Sequence, residues 1–185
     1  MGGEVAAGME KRSLGGSRAL AVARGVPLDN GLVRHSPDSG AAAQAPLLVV
    51  QLAGHEFALP LEPVREVIRM VAVTPVVGAP IWVPGVVDLR GTTVPMVDLR
   101  ARLGLPVIEA DPAHMFVVVE FAGRLVGLIV DRAVDVISVD QTDIAAGETS
   151  SGQGLAAGVA RSGSRLLVLL DLDAVSGGVT ADPGR

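Results

Sequence analysis

The chain repeats itself, and the repeat dictates more about its fold than any single motif does. Leu48-Val-Val-Gln-Leu-Ala-Gly54 lies over Val117-Val-Val-Glu-Phe-Ala-Gly123 at an offset of 69 residues. The same offset carries Leu59 onto Leu128, Glu62 onto Asp131, Glu66 onto Asp135 and Val67-Ile68 onto Val136-Ile137. Gly85-Val86 through Asp98-Leu99 then lies over Gly158-Val159 through Asp171-Leu172 at an offset of 73. Self-similarity at a fixed period is the mark of a duplicated structural unit. The change of offset is a four-residue insertion in the second copy, expected as a loop within the Gly-, Ser- and Thr-rich residues 145–154.

What each copy folds into follows from its punctuation. From Pro46 onward, short Val, Leu and Ile runs are broken by Gly and Pro every eight to twelve residues, the pattern of a sandwich or barrel. Strands are expected over 47–52, 56–61, 67–73, 86–89, 94–99, 115–121, 125–130, 134–139, 157–160 and 166–170, with hairpin turns at Ala53-Gly54-His55 and Ala122-Gly123-Arg124. Each copy therefore holds about five short strands. The expected fold is all-β: two similar five-stranded barrels packed as one unit over 46–176, in which a strand from one copy can complete the other. The seam between duplicated halves is a natural binding groove.

Residues 1–45 are rich in Gly, Ala, Ser and Arg and lack sustained apolar alternation, so they read as a disordered tail, and 177–185 as a flexible C-terminus. The absence of cysteine excludes disulfides, thiolate nucleophiles and thiolate metal ligands. Residues 46–176 hold nine Arg against fifteen Asp and Glu, which argues against nucleic acid as a partner. Phe57, Trp82, Phe116 and Phe121 are too few for a base-stacking platform. The first 25 residues read poorly as a signal peptide, since Glu4 and Glu10 precede any basic group and Arg18 and Arg24 interrupt the Ala-rich stretch. Position 6 is Ala where myristoylation wants Ser or Thr. No apolar run approaches the roughly 20 residues of a membrane span. A cytoplasmic protein without direct membrane insertion is expected.

Gly85-Val-Val-Asp-Leu-Arg-Gly-Thr-Thr-Val-Pro-Met-Val-Asp-Leu-Arg100 resembles the signature of the CheW-like domain. Residues 117–123, 126–131 and 134–137 resemble that domain's second half, and 166–173 its closing strand, so the likeness covers about 46–176. It implies two five-stranded SH3-like barrels around a shared hydrophobic core. It also implies a non-enzymatic scaffold that couples the cytoplasmic helical tip of a chemoreceptor to the regulatory domain of a CheA-type histidine kinase, recruited to receptor clusters. The same domain ends CheA-type kinases, but no phosphotransfer or ATP-binding domain accompanies it here, so the stand-alone adaptor is the closer match. Adaptors of twitching, gliding or developmental pathways would carry the same motifs. The resemblance implicates Arg90 in receptor binding, together with Gly85 and the position of Val64. It names no kinase-facing residue, and no catalytic residue, cofactor or metal.

Each of these residues has a plainer reading. Arg90 lies between Leu89 and Gly91 in a turn joining two apolar strands, where a solvated side chain is ordinary. Gly85 and Gly91 fit turns or close backbone approaches, and Val64 fits a core. Asp98 and Asp171 occupy equivalent positions and suggest paired carboxylates, the sole basis for a hydrolytic enzyme. Their contexts, Asp98-Leu-Arg and Asp171-Leu-Asp, lack the Asp-Thr/Ser-Gly turn such enzymes use. Each ends a strand before a few helix-compatible residues closed by Gly104 or Gly177, so N-capping is expected. His35, His55 and His114 are scattered without metal-ligand spacing. A small-ligand-binding β-barrel remains the alternative from another class, disfavoured by the shortage of aromatic and polar anchors.

Overall fold

The computed structural model describes residues 43–108, 111–147, 154–177 and 179. Eleven strands and two short helices follow one another: β1 Gln44–Leu52, β2 His55–Pro60, β3 Val64–Arg69, β4 Gly85–Leu89, β5 Thr92–Asp98, α1 Leu99–Arg102, β6 Met115–Phe121, β7 Arg124–Val130, β8 Arg132–Asp140, β9 Ile144–Ala146, β10 Ala156–Ser162, β11 Arg165–Leu170 and α2 Leu172–Ser176. No helix among the described residues is long and apolar enough to cross a membrane.

The hairpins are closed by the turns their sequences call for. Ala53-Gly54, Arg90-Gly91 and Ala122-Gly123 are two-residue loops with positive φ at both positions, the requirement of a type I′ turn. That turn matches the right-handed twist of the strands it joins, so Ala and Arg are held in the left-handed region against their own preference.

The strands form two mixed sheets of orders β8-β1-β2-β11-β10-β9 and β3-β6-β7-β5-β4. Mapped through the repeat, one order becomes the other. The lone bridge Thr74–Val86 stands at the place of β9, which pairs Ala145 with Val159. Details repeat as well. The parallel pair Met96–Gly127 answers Leu169–Ala58. The register shift at Val49/Val50 against β8 recurs at Val64/Glu66 against β6, one bulge in each copy. Leu48 and Val117 fall in the corresponding strands β1 and β6, as do Val97 and Leu170 in β5 and β11.

The expected fold class holds, and the exchange between copies is larger than a single completing strand. Each sheet takes one hairpin, β1–β2 or β6–β7, from one copy and its remaining strands from the other. Both sheets curl. Val139 of β8 packs with Ala160 of β10 and Ile144 of β9 inside the first. In the second, Val87, Val94, Met96 and Phe116 pack with Ile68 of β3. Between them lies a shared core built on Leu48, Val50, Leu59, Val97, Val117, Leu128 and Leu170. On β1, Leu47 and Val49 point into the barrel while Leu48, Val50 and Leu52 point into the shared core. With both faces buried, the strand reads as one continuous apolar run.

Most strand bounds shift by one to three residues, and four differences have a structural reason. The strand expected over 67–73 begins at Val64 and stops at Arg69, because its partner β6 begins opposite Arg69 at Met115. β1 starts at Gln44, two residues inside the stretch assigned to the tail, since Gln44 and Ala45 pair with Asp140 and Val139 of β8. The rest of that tail lies outside the described residues. Part of the expected 145–154 loop is β9, and 148–153 lie outside the described residues. Val179, in the segment read as a flexible C-terminus, packs against the shared core.

Because residues 1–42 carry little apolar surface to bury, deleting them should leave one cooperative melting transition with its midpoint within a few degrees of the full chain at physiological ionic strength. Differential scanning calorimetry of the two proteins checks this, and a broad or strongly lowered transition would show that the segment belongs to the core.

Candidate functional site

Arg90 has the most exposed side chain of any ion-paired residue among the described residues. It occupies the first position of the β4–β5 turn at φ 53°, where a residue with a Cβ is strained by about 1–2 kcal/mol. Its side chain is 85% exposed and donates from Nη2 to Glu66 Oε2 at 3.2 Å. Glu66 lies on β3, at the opposite edge of the sheet, and its side chain is only 21% exposed. The ion pair therefore sits where the sheet curls back on itself. Glu66 leans the guanidinium over the β3 edge while leaving most of its donors free for a carboxylate or carbonyls of another molecule. The sequence offered Glu66 only as the repeat mate of Asp135. Nothing in its spacing from Arg90 announces the pair, which exists because the sheet closes.

Val64 and Gly85 are placed differently. Val64 is buried in the shared core, pairs with Val119 and donates its N–H to the Leu61 carbonyl at 3.0 Å. It flanks the bulge beyond which Glu66 emerges, so the fold brings its position near Arg90 without exposing its side chain. Gly85 is buried at the far end of β4, five residues from Arg90, about 15 Å along a strand. Its φ is +155°, and a Cβ there would stand 2.0 Å from the Thr74 carbonyl oxygen. Gly158, its repeat mate, would meet the Ala145 oxygen at 2.3 Å. Both glycines let a neighbouring backbone segment lie against the strand.

Asp98 and Asp171 do what was expected of them. Asp98 Oδ1 accepts from the N–H groups of Arg100 and Ala101 at 2.8 and 3.2 Å, and Asp171 Oδ1 from those of Asp173 and Ala174 at 2.9 and 3.1 Å. Each caps its own helix. Arg102 of α1 then donates to the last carbonyls of α2, Ala174 at 2.7 Å and Val175 at 3.3 Å, with its guanidinium 4.4 Å from the Trp82 ring centroid. This ties the two copies through a cation at a helix C-terminus.

Two grooves lie at equivalent places in the duplicated architecture. One, of about 330 Å³, is lined by Ile129, Asp131, Pro84, Asp98 and Arg100, among others. Its floor is closed by a forked pair: Arg100 Nε and Nη2 donate to Asp131 Oδ1 and Oδ2 at 2.7 and 2.5 Å, and the Ala53 N–H adds a third bond to Oδ2 at 2.8 Å. The side chains are 12% and 17% exposed. The other groove, of about 550 Å³, is lined by the repeat mates Pro60, Glu62, Ala157, Asp171 and Asp173. There the position of Arg100 is taken by Asp173, and no ion pair among the described residues joins the two sides.

Burial would raise the Asp131 carboxyl, but the bonds from Arg100 and Ala53 outweigh it and hold the group below the ordinary carboxylate range. The hydrogen bond to Asp131 raises Arg100 in turn. A depressed folded-state value stabilises above the unfolded value near 3.9 and is lost as pH falls through the folded one. Asp131→Asn should therefore lose roughly 1.5–3 kcal/mol at neutral pH, and the gap from the parent should close as pH drops below about 4. Denaturant melts from pH 7 to 3 measure it. A gap independent of pH would mean that the carboxylate's charge contributes nothing.

Comparison with known proteins matches residues 46–178 to a family model described as the CheW-like domain. The "Chemotaxis protein CheW" of Rhizobium meliloti (strain 1021) is 33% identical over 132 residues, covering 70% of this chain and 85% of that protein. The protein of the same name from Bacillus subtilis (strain 168) is 30% identical over 136 residues, with the same coverage of both chains. "Protein PilI" of Pseudomonas aeruginosa is 33% identical over 82 residues, covering 44% of this chain and 46% of its own. Among solved structures, the scaffolding protein TtCheW from Thermoanaerobacter tengcongensis superposes with a TM-score of 0.65 at 26% identity, covering 69% of this chain and 89% of that one.

Proposed function

The chain belongs to the CheW-like domain family, and from that premise we propose that it is an adaptor coupling a chemoreceptor to a CheA-type histidine kinase, acting by binding and catalysing nothing itself. The family match carries this reading, because over residues 46–178 it spans nearly the whole two-sheet unit. One surface meets the receptor's helical tip and another the kinase's regulatory domain. The receptor face is built on Arg90, with Val64 and Gly85 acting from beneath: Val64 seats the start of β3, and Gly85 lets residues 74–75 lie against β4. Exposed aliphatic side chains, among them Val77, Ile81 and Leu166, supply apolar contact area for partners. The adaptor gathers at receptor clusters through these contacts, with no membrane insertion of its own.

Co-sedimentation with receptor-bearing membranes, with and without the kinase, tests the proposal. The chain should pellet with receptors alone and raise the kinase in the pellet. Failure to bind either partner, while the protein melts cooperatively, would overturn it.

A further inference from the structure

We propose that the acidic groove between the β2–β3 corner and α2 is the docking site of a basic stretch of this chain's own N-terminal segment, residues 11–24. The inference is independent of the adaptor role and starts from the duplication. In the smaller groove, Arg100 holds Asp131 by two hydrogen bonds. In the larger one the same two places carry Asp173 and Glu62, so a carboxylate faces the groove where its counterpart presents a guanidinium. Glu120 and Asp171 line it as well, and its single cation among the described residues, Arg65, is already bonded to Glu120 at 2.7 Å. Neither Glu62 nor Asp173 has an ion-pair partner among the described residues. The fold thus keeps a half-pair in one copy that it completes in the other.

The missing half lies close by in the chain. Residues 11–28 hold Lys11, Arg12, Arg18 and Arg24 and no Asp or Glu. The described chain begins at Ala43, three residues before Pro46, whose carbonyl accepts the Leu61 N–H at 3.0 Å, immediately before Glu62 of the groove. The segment therefore enters the fold within about 15 Å of the groove's edge. Eighteen residues lie between Arg24 and Ala43, and a flexible linker of that length reaches roughly 25 Å. Tethering on this scale gives an effective concentration in the millimolar range, enough to populate a contact that two or three exposed ion pairs would not hold between separate molecules. Apolar groove residues Pro60, Pro63 and Phe121 offer a surface on which Arg and Lys stems can lie.

The full chain has no cysteine, so Ser17→Cys gives one attachment point for a paramagnetic label between Arg12 and Arg18. At low ionic strength the amide signals of Glu62, Phe121 and Asp173 should broaden several-fold more than those of Ile129 and His114 at the equivalent groove. The effect should vanish in about 1 M salt, where the screening length is about 3 Å. It should vanish also in Asp173→Arg, which sets a guanidinium opposite Glu62 as Arg100 stands opposite Asp131. The pair Glu62→Gln and Asp173→Asn serves if the charge reversal disturbs folding. No selective broadening, or broadening that survives these variants, overturns the proposal. So does broadening that appears only between labelled and unlabelled molecules and grows with concentration, which would make the occupant a second copy.

Discussion

Gly85→Ala should lower the thermal midpoint by about 10 °C or more, the largest stability loss expected from any single methyl group in this protein. Two penalties coincide there. At φ +155° a residue with a Cβ is strained, typically by about 1–3 kcal/mol. The new Cβ also falls 2.0 Å from the carbonyl oxygen of Thr74, a backbone atom that cannot rotate away. Relief requires pushing Thr74 and Pro75 off β4, which breaks the two 2.8 Å hydrogen bonds between Thr74 and Val86. Overpacking of this kind costs roughly 1–3 kcal/mol more, and each kcal/mol is worth roughly 3–5 °C in a domain of this size. Two other glycines separate the terms. Gly54, at φ +82° with nothing within 4 Å of a Cβ, carries the strain alone, and Gly158, outside the left-handed region but 2.3 Å from the Ala145 oxygen, carries the clash alone. Alanine at either should cost less than at Gly85. A midpoint for Gly85→Ala within about 2 °C of the parent would show that the 74–75 segment yields freely, and hydrogen exchange at Thr74 and Val86 would then reveal it displaced.

That example also marks where the sequence is readable. The glycines repeat at 85 and 158 and so announce a shared need, but which backbone each one admits is decided by pairing across the sheet. The hairpin turns and the capping roles of Asp98 and Asp171 are legible because each depends on residues near one another in the chain, and the repeat because it is written in the order of residue types alone, whatever the folded pairing. β9 is not legible: Ile144-Ala145-Ala146 has little strand propensity and exists because Gly158 lets it approach β10. The interleaving of the copies, and with it the ion pairs Arg90–Glu66 and Arg100–Asp131, depends on which hairpin each sheet receives. No local pattern encodes that choice. Arg90 itself was found through family likeness, and only the closed sheet explains how it is held.

Arg90→Glu should cut receptor affinity by roughly 30-fold or more while leaving the fold and kinase binding nearly intact. In the free protein the guanidinium is largely solvated and its bond to Glu66 is an exposed ion pair, a class worth about 0–1 kcal/mol. Glutamate would lose that bond and sit near Glu66, a repulsion softened by solvent, and it would keep the same left-handed strain, so melting should shift little. Bound to a partner, the group is desolvated, and truncating one member of a buried, hydrogen-bonded charge pair typically costs about 2–5 kcal/mol. The lower end of that range already corresponds to about 30-fold in affinity. Arg90→Gly is the sharper control: it removes the charge and also relieves the positive φ, so it should bind receptor as poorly as the glutamate variant while melting no lower than the parent. Side-by-side melts, kinase pull-downs and receptor co-sedimentation distinguish the outcomes. Unchanged receptor affinity in both variants would make Arg90 an ordinary solvated turn residue, and equal loss of receptor and kinase would place both partners on one surface.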